Sequence, residues 1–297
     1  RVTGGLDMDA GPSASTAGRL VFGGQKVRST IVGLPLDADA GIVTGPIRML
    51  HIDVAQSGRA TPTLDARALV RPVRTVSGSE VRVLELGSGI ERVLVVAPPG
   101  PLDPTIARAG RMVAYTQATT GGGEGGGFVI PATGGVATKI CDACQTAGWL
   151  SDEQRVILHT RDNLAVELWS ADSRTSVALL MSDRPITRVF ASPDDRWLLF
   201  SSEGVTRIAP LRPGSPATPD EWIDLPIPMA SGHRGAGWSP DSTLAYVLLE
   251  LDGYRCLYAL RIDPLTGQPV GELFPVHHFH QARLRWGSTG LGSAVVQ

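Results

Sequence analysis

The residues best suited to chemistry in this 297-residue chain fall in three short stretches. The first is Cys141-Asp142-Ala143-Cys144, a C-x-x-C, with Cys256 as the remaining cysteine. No His follows it, so c-type haem attachment does not apply. No second ligand pair stands at zinc spacing, and no βαβ pattern surrounds it as a redox motif would want. Free thiols, a local Cys141–Cys144 disulfide and a disulfide to Cys256 are the structural readings, ahead of metal or redox chemistry. The second stretch is His277-His278-Phe279-His280. In a strand, His278 and His280 share one face and His277 takes the other. Two imidazoles hold a metal only where a third ligand approaches, and the sequence identifies none, so no metal is expected. The third is the glycine-rich 121–127, GGGEGGG. A phosphate cradle needs a following Lys-Ser/Thr and a helix, and both are lacking. A connector or partner-contacting loop is the plainer role.

Hydrolysis finds no support. A G-x-S-x-G elbow is absent, and GPSAS (11–15) and LGSGI (86–90) do not match it. Asp152, Asp194, Asp195 and Asp241 sit among turn residues and read as turn formers rather than as paired acid and base. No catalytic residue and no cofactor is expected. The 27 basic and 29 acidic residues are interspersed and sum to −2, which argues against a nucleic-acid groove. The apolar stretch 81–97 is broken by Arg82, Glu85, Glu91 and Arg92, so no transmembrane segment is expected. The chain opens on Arg1 with no Met and no signal peptide; either a leader was removed or the chain is part of a longer one.

What must position these residues is a repeat. Asp194 and Asp241 stand 47 apart in matching turns, FASPDDRWLLF and WSPDSTLAYVLL. Stepping back along the chain, Asp152, Ala109, Asp65 and Ala17 take the same place at intervals of 42, 43, 44 and 48. After each turn comes a β-prone run: RLVF (19–22), ALV (68–70), MVAY (112–115), RVIL (155–158), WLLF (197–200) and LAYVLL (244–249). A second run follows each, and a more polar one closes the unit. Short β-branched runs bounded by turn residues predict strands, about four per unit. A lone four-stranded sheet has two apolar faces and open edges; stacking such sheets radially buries both faces. Six copies of this length therefore predict an all-β, six-bladed β-propeller of four-stranded antiparallel blades.

The Ser-Pro-Asp turns with their following runs resemble the WD40-like repeat of TolB-like six-bladed propellers. The likeness is carried mainly by 182–280. It departs where Ala17, Asp65 and Ala109 stand in eroded turns and where Asp195 and Ser242 replace the usual Gly. The resemblance implies a fold and no single activity, because propellers are reused for many tasks.

The expected blades are 6–50, 51–94, 95–139, 140–181, 182–226 and 227–287, with 288–297 as a tail. Trp149, Trp197 and Trp238 should pack between blades. Trp222, Trp286, His278 and His280 are the candidate partner contacts, and Arg1–Gly5 is a candidate latch strand on the last blade. The expected function is a binding propeller without catalysis. It would be an accessory subunit docking onto a membrane-associated protein complex on the extracytoplasmic, periplasmic side. The alternative is a ligand-sensing propeller of a longer receptor Ser/Thr kinase.

Overall fold

The structure is a computed structural model that describes residues 8–14, 20–25, 29–53, 60–100, 102–117, 125–228, 234–251 and 255–279. Arg1–Gly5, the candidate latch, lies outside them. The first unit contains β1 (Met8–Ala14) paired with β2 (Leu20–Gln25), and β3 (Ser29–Gly33) paired with β6 (Arg48–Asp53). Between them β4 (Leu36–Asp37) and β5 (Ile42–Val43) form a small extra hairpin.

Five four-stranded antiparallel sheets follow among the described residues. Blade two runs β7 (Thr61–Pro62), β8 (Ala68–Arg74), β9 (Ser79–Glu85), β10 (Glu91–Ala97). Blade three runs β11 (Leu102–Ile106), β12 (Met112–Gln117), β13 (Gly126–Pro131), β14 (Thr138–Cys141). Blade four runs β15 (Cys144–Trp149), β16 (Arg155–Thr160), β17 (Ala165–Ser170), β18 (Ser176–Met181). Blade five runs β19 (Ile186–Ala191), β20 (Trp197–Ser202), β21 (Val205–Pro210), β22 (Ile223–Asp224). Blade six runs β23 (Arg234–Trp238), β24 (Leu244–Glu250), β25 (Arg255–Ile262), β26 (Pro269–His278), so all four of its strands come from one continuous segment. The fold is a β-propeller. Among the described residues no helix is long and apolar enough to cross a membrane.

The second strands show why the blades stack. Every residue of β20 is buried. Leu198 and Phe200 pack against Leu150, Ile157 and Leu180 of blade four. Trp197 and Leu199 point the other way, onto Trp238, Val247 and Tyr258 of blade six. Strand alternation thus feeds two cores at once. Trp149 fills the joint of blades three and four with Val129 and Leu158. Each large side chain so buried contributes about 1.5–3 kcal/mol.

The extra hairpin packs the first unit against blade six. Ala38 is buried with Leu244, Tyr246 and Leu248 of blade six, and Leu34, Leu36 and Ile47 pack beside it. Tyr246 Oη donates to the Ala38 carbonyl at 2.5 Å, and the Asp241 amide donates to Asp39 Oδ1 at 3.0 Å. Gly41 turns this hairpin at φ +71°, where a Cβ would lie 3.0 Å from the Phe274 ring. Glycine meets both the angle and the space.

One polar side chain sits badly in this packing. His159 follows Ile157 on the face of β16 that meets blade five, is 7% exposed, and its Nδ1 has no partner among the described residues. Burial pushes its pKa down to about 4. The unfolded chain therefore takes up this proton first, and stability is lost as pH falls from about 6.5 toward about 4. The expected loss is about 3 kcal/mol. Urea unfolding of the native chain and of His159→Leu at pH 7 and pH 4 measures it; an equal loss in the variant would assign it to other groups.

Candidate functional site

The first strands of blades two to six border a common cavity of about 160 Å³. Its walls include Arg108, Trp149, Phe190, Pro193, Trp238 and Pro240. This mouth lies beside the turns that join first to second strands.

Each turn has one local design. The amide of its fourth residue donates to the carbonyl of its first: Ala66 to Thr63, Gly110 to Ala107, Glu153 to Leu150, Asp195 to Ser192, Ser242 to Ser239. Where the first residue has a hydroxyl and the third is Asp, the two bond: Thr63 to Asp65 at 2.7 Å, Ser192 to Asp194 at 2.5 Å, Ser239 to Asp241 at 2.6 Å. The same Asp then accepts the amide two residues on, an Asx turn. The Thr63 hydroxyl and the Arg67 amide hold the Asp65 carboxyl below its ordinary range. Asp65 thus completes a turn that looked eroded in sequence.

The fourth turn residue adopts positive φ in all five: Ala66, Gly110, Glu153, Asp195 and Ser242. For non-glycine residues this conformation costs roughly 1–2 kcal/mol. Three of them use the side chain to tie the next joint. Glu153 accepts the Ala109 amide of blade three. Asp195 accepts the Ser151 amide at 3.1 Å and its hydroxyl at 2.6 Å in blade four. Ser242 Oγ accepts the Asp194 amide of blade five at 3.2 Å. Asp39 does the same for Asp241 of blade six. Burial, then the Asp241 and Asp37 carboxylates, hold Asp39 above its usual range against the pull of the Asp241 amide. The absent turn glycines are therefore exchanged for bonds between blades.

Over this rim Arg108 reaches across blade four, and its Nη1 donates to the Pro193 carbonyl of blade five at 3.0 Å. Burial lowers the pKa of its half-buried guanidinium, while Asp195 and Asp194 oppose that. Trp149 Nε1 donates to the Thr105 carbonyl at 3.2 Å, and Trp238 Nε1 to that of Phe190 at 3.1 Å. Each indole is bonded to the preceding blade, which fixes the aromatic wall. A cavity far below the roughly 300–1,000 Å³ of a cofactor or drug-sized site suits one side chain or a chain end. The walls offer it apolar surface and a cation.

The residues singled out in sequence lie elsewhere. Trp222 is half-buried at the joint of blades four and five, edge-on to Phe200 with centroids 4.9 Å apart, under the Arg207 guanidinium. His278 is exposed on outer strand β26, 6.2 Å from the Tyr258 ring. His280 and Trp286 lie outside the described residues. Burial, then the neighbouring His278, lower the pKa of His277. Among the described residues no three His, Cys, Asp or Glu gather as a metal site. Cys141 and Cys144 form a disulfide, and Cys256 is buried and lies outside it. Arg108 escaped notice in sequence. Its signal was present: alignment of the copies puts it where Pro193 and Pro240 stand.

No protein-family model matches the chain, and no curated protein matches it by sequence. Its fold is similar to that of TolB from Agrobacterium tumefaciens, at a TM-score of 0.60 and 16% identity over 84% of this chain and 88% of that one. TolB from Acinetobacter baumannii gives 0.60 and 12% over 77% of this chain, which spans only 58% of its length. The fold is thus TolB-like. An oligogalacturonate lyase from Vibrio parahaemolyticus gives 0.54 and 9% over 89% of this chain and 80% of that one. This last likeness corrects the expectation that such a propeller is not an enzyme. Blade loops can carry catalytic groups without altering the blades, so the architecture does not exclude catalysis.

The rim makes a paired prediction. Ala66→Gly should stabilise the chain by about 1 kcal/mol, because Ala66 carries the strain with no side-chain bond. Asp195→Gly should destabilise it by about 1 kcal/mol, since lost charge-assisted bonds outweigh the relief. Urea unfolding decides; equal gains at both positions would show that the inter-blade bonds contribute nothing.

Proposed function

We propose that this chain is a protein-binding propeller whose turn-side channel mouth receives a side chain or chain end of a partner. Arg108 carries this proposal: a half-buried guanidinium spanning a small mouth walled by Trp149, Trp238 and Phe190. Buried Arg and aromatic anchors dominate binding energy at protein interfaces. The partner would belong to a membrane-associated complex on the extracytoplasmic side, with this chain as accessory subunit. That setting is supported by the TolB-like fold and by the disulfide, a bond that persists in oxidising compartments.

Co-purification from detergent-solubilised native membranes tests it, with native chain and Arg108→Ala compared at equal folding by circular dichroism. The expected result is a stoichiometric partner with the native chain and at least about tenfold weaker binding with the variant. A native chain that elutes alone, or a partner held equally by both, would overturn the role given to the mouth.

A further inference from the structure

The link between blades three and four is two residues long, Asp142 and Ala143, and a disulfide closes it. Cys141 ends β14, Cys144 begins β15, and the disulfide joins them with Cα atoms 5.9 Å apart. A bond that closes so short a loop removes little entropy from the unfolded chain, so stability alone explains it poorly. Both cysteines are half-buried, and Asp142 and Ala143 between them are exposed.

The glycine-rich stretch ends against this bond. The Gly127 amide donates to Cys141 Sγ at 3.1 Å. A Cβ on Gly127 would lie 2.8 Å from both sulfurs, and one on Gly126 would strike the Cys141 carbonyl oxygen. Two glycines in β13 thus let the backbone lie directly on the disulfide and aim one N–H at one of its sulfurs. Cys256, in contrast, is fully buried in β25.

We propose that Cys141–Cys144 is a thiol–disulfide exchange site whose substrate is a dithiol arriving from solvent. A thiolate of the dithiol attacks Cys144 Sγ, forming a mixed disulfide as the Cys141–Cys144 bond breaks. Cys141 leaves as a thiolate that accepts the Gly127 N–H; a hydrogen bond to the departing sulfur lowers its pKa and speeds its departure. The second thiol of the dithiol, as thiolate, attacks its own sulfur in the mixed disulfide and releases Cys144. Two electrons pass to this chain, Cys141 and Cys144 each take a proton, and the dithiol ends as a disulfide. Reduction frees the crossover between two blades.

Dithiothreitol serves as the probe on the folded, full chain, followed by iodoacetamide and peptide mass spectrometry. Cys141 and Cys144 should be alkylated together at least about tenfold faster than Cys256. Cys256 stays protected because the blades remain folded. Gly127→Ala, confirmed folded by circular dichroism, pushes the backbone N–H off the sulfur and should be reduced at least about threefold more slowly than the native chain. A pair that resists dithiothreitol until denaturant is added overturns the proposal. So does labelling of all three cysteines in parallel, which would mean that reduction follows unfolding. Rapid reduction at the native rate in Gly127→Ala would overturn the part given to that N–H. If the variant does not fold, the native comparison with Cys256 still decides the site.

Discussion

The structure depends on burying both faces of sheets too small to stand alone. Four short strands leave apolar surface on each side, and a neighbour on each side is what removes it from water. β20 shows the constraint at its tightest, with Leu198 and Phe200 committed to one joint and Trp197 and Leu199 to the other. Such a sheet gains nothing from one neighbour that it does not need again from the second. Radial stacking satisfies blades three to six in this way, and the β4–β5 hairpin of the first unit covers Tyr246 and Leu248 on the far side of blade six.

Apolar joints hold blades together without fixing their rotation, since hydrophobic burial has no direction. The rim bonds supply that direction. Glu153, Asp195, Ser242 and Asp39 each reach one blade back to an amide the turn itself leaves unpaired. Trp149 and Trp238 repeat the device deeper, through an indole N–H. Of these residues, Trp149 and Trp238 also line the mouth of the channel. A binding site placed there inherits a rigid rim at no further ordering cost.

The likenesses in fold reach from TolB to a lyase, at identities too low to carry an activity across. Turns and first strands are where a propeller can vary its chemistry without altering its blades. Arg108, at the proposed site, is such a position. It occupies a turn place held by Pro in two other blades, and the blade is otherwise undisturbed.

The repeat was legible because strand burial depends on side-chain type and alternation, which the sequence carries directly. FASPDDRWLLF and WSPDSTLAYVLL determined turn, strand and spacing, and with them the propeller. The sequence also placed Trp149, Trp197 and Trp238 between blades, since a large aromatic beside a repeated turn has no other apolar surface to meet. What it left open concerned residues far apart in the chain. Glu153 completes the turn at Ala109, Arg108 meets Pro193, and the 36–43 hairpin meets blade six across some 200 residues. A residue's type gives its capacity to bond and not its partner. Only the radial stacking, by fixing which turns lie side by side, decided those pairings and so decided where the candidate site lies.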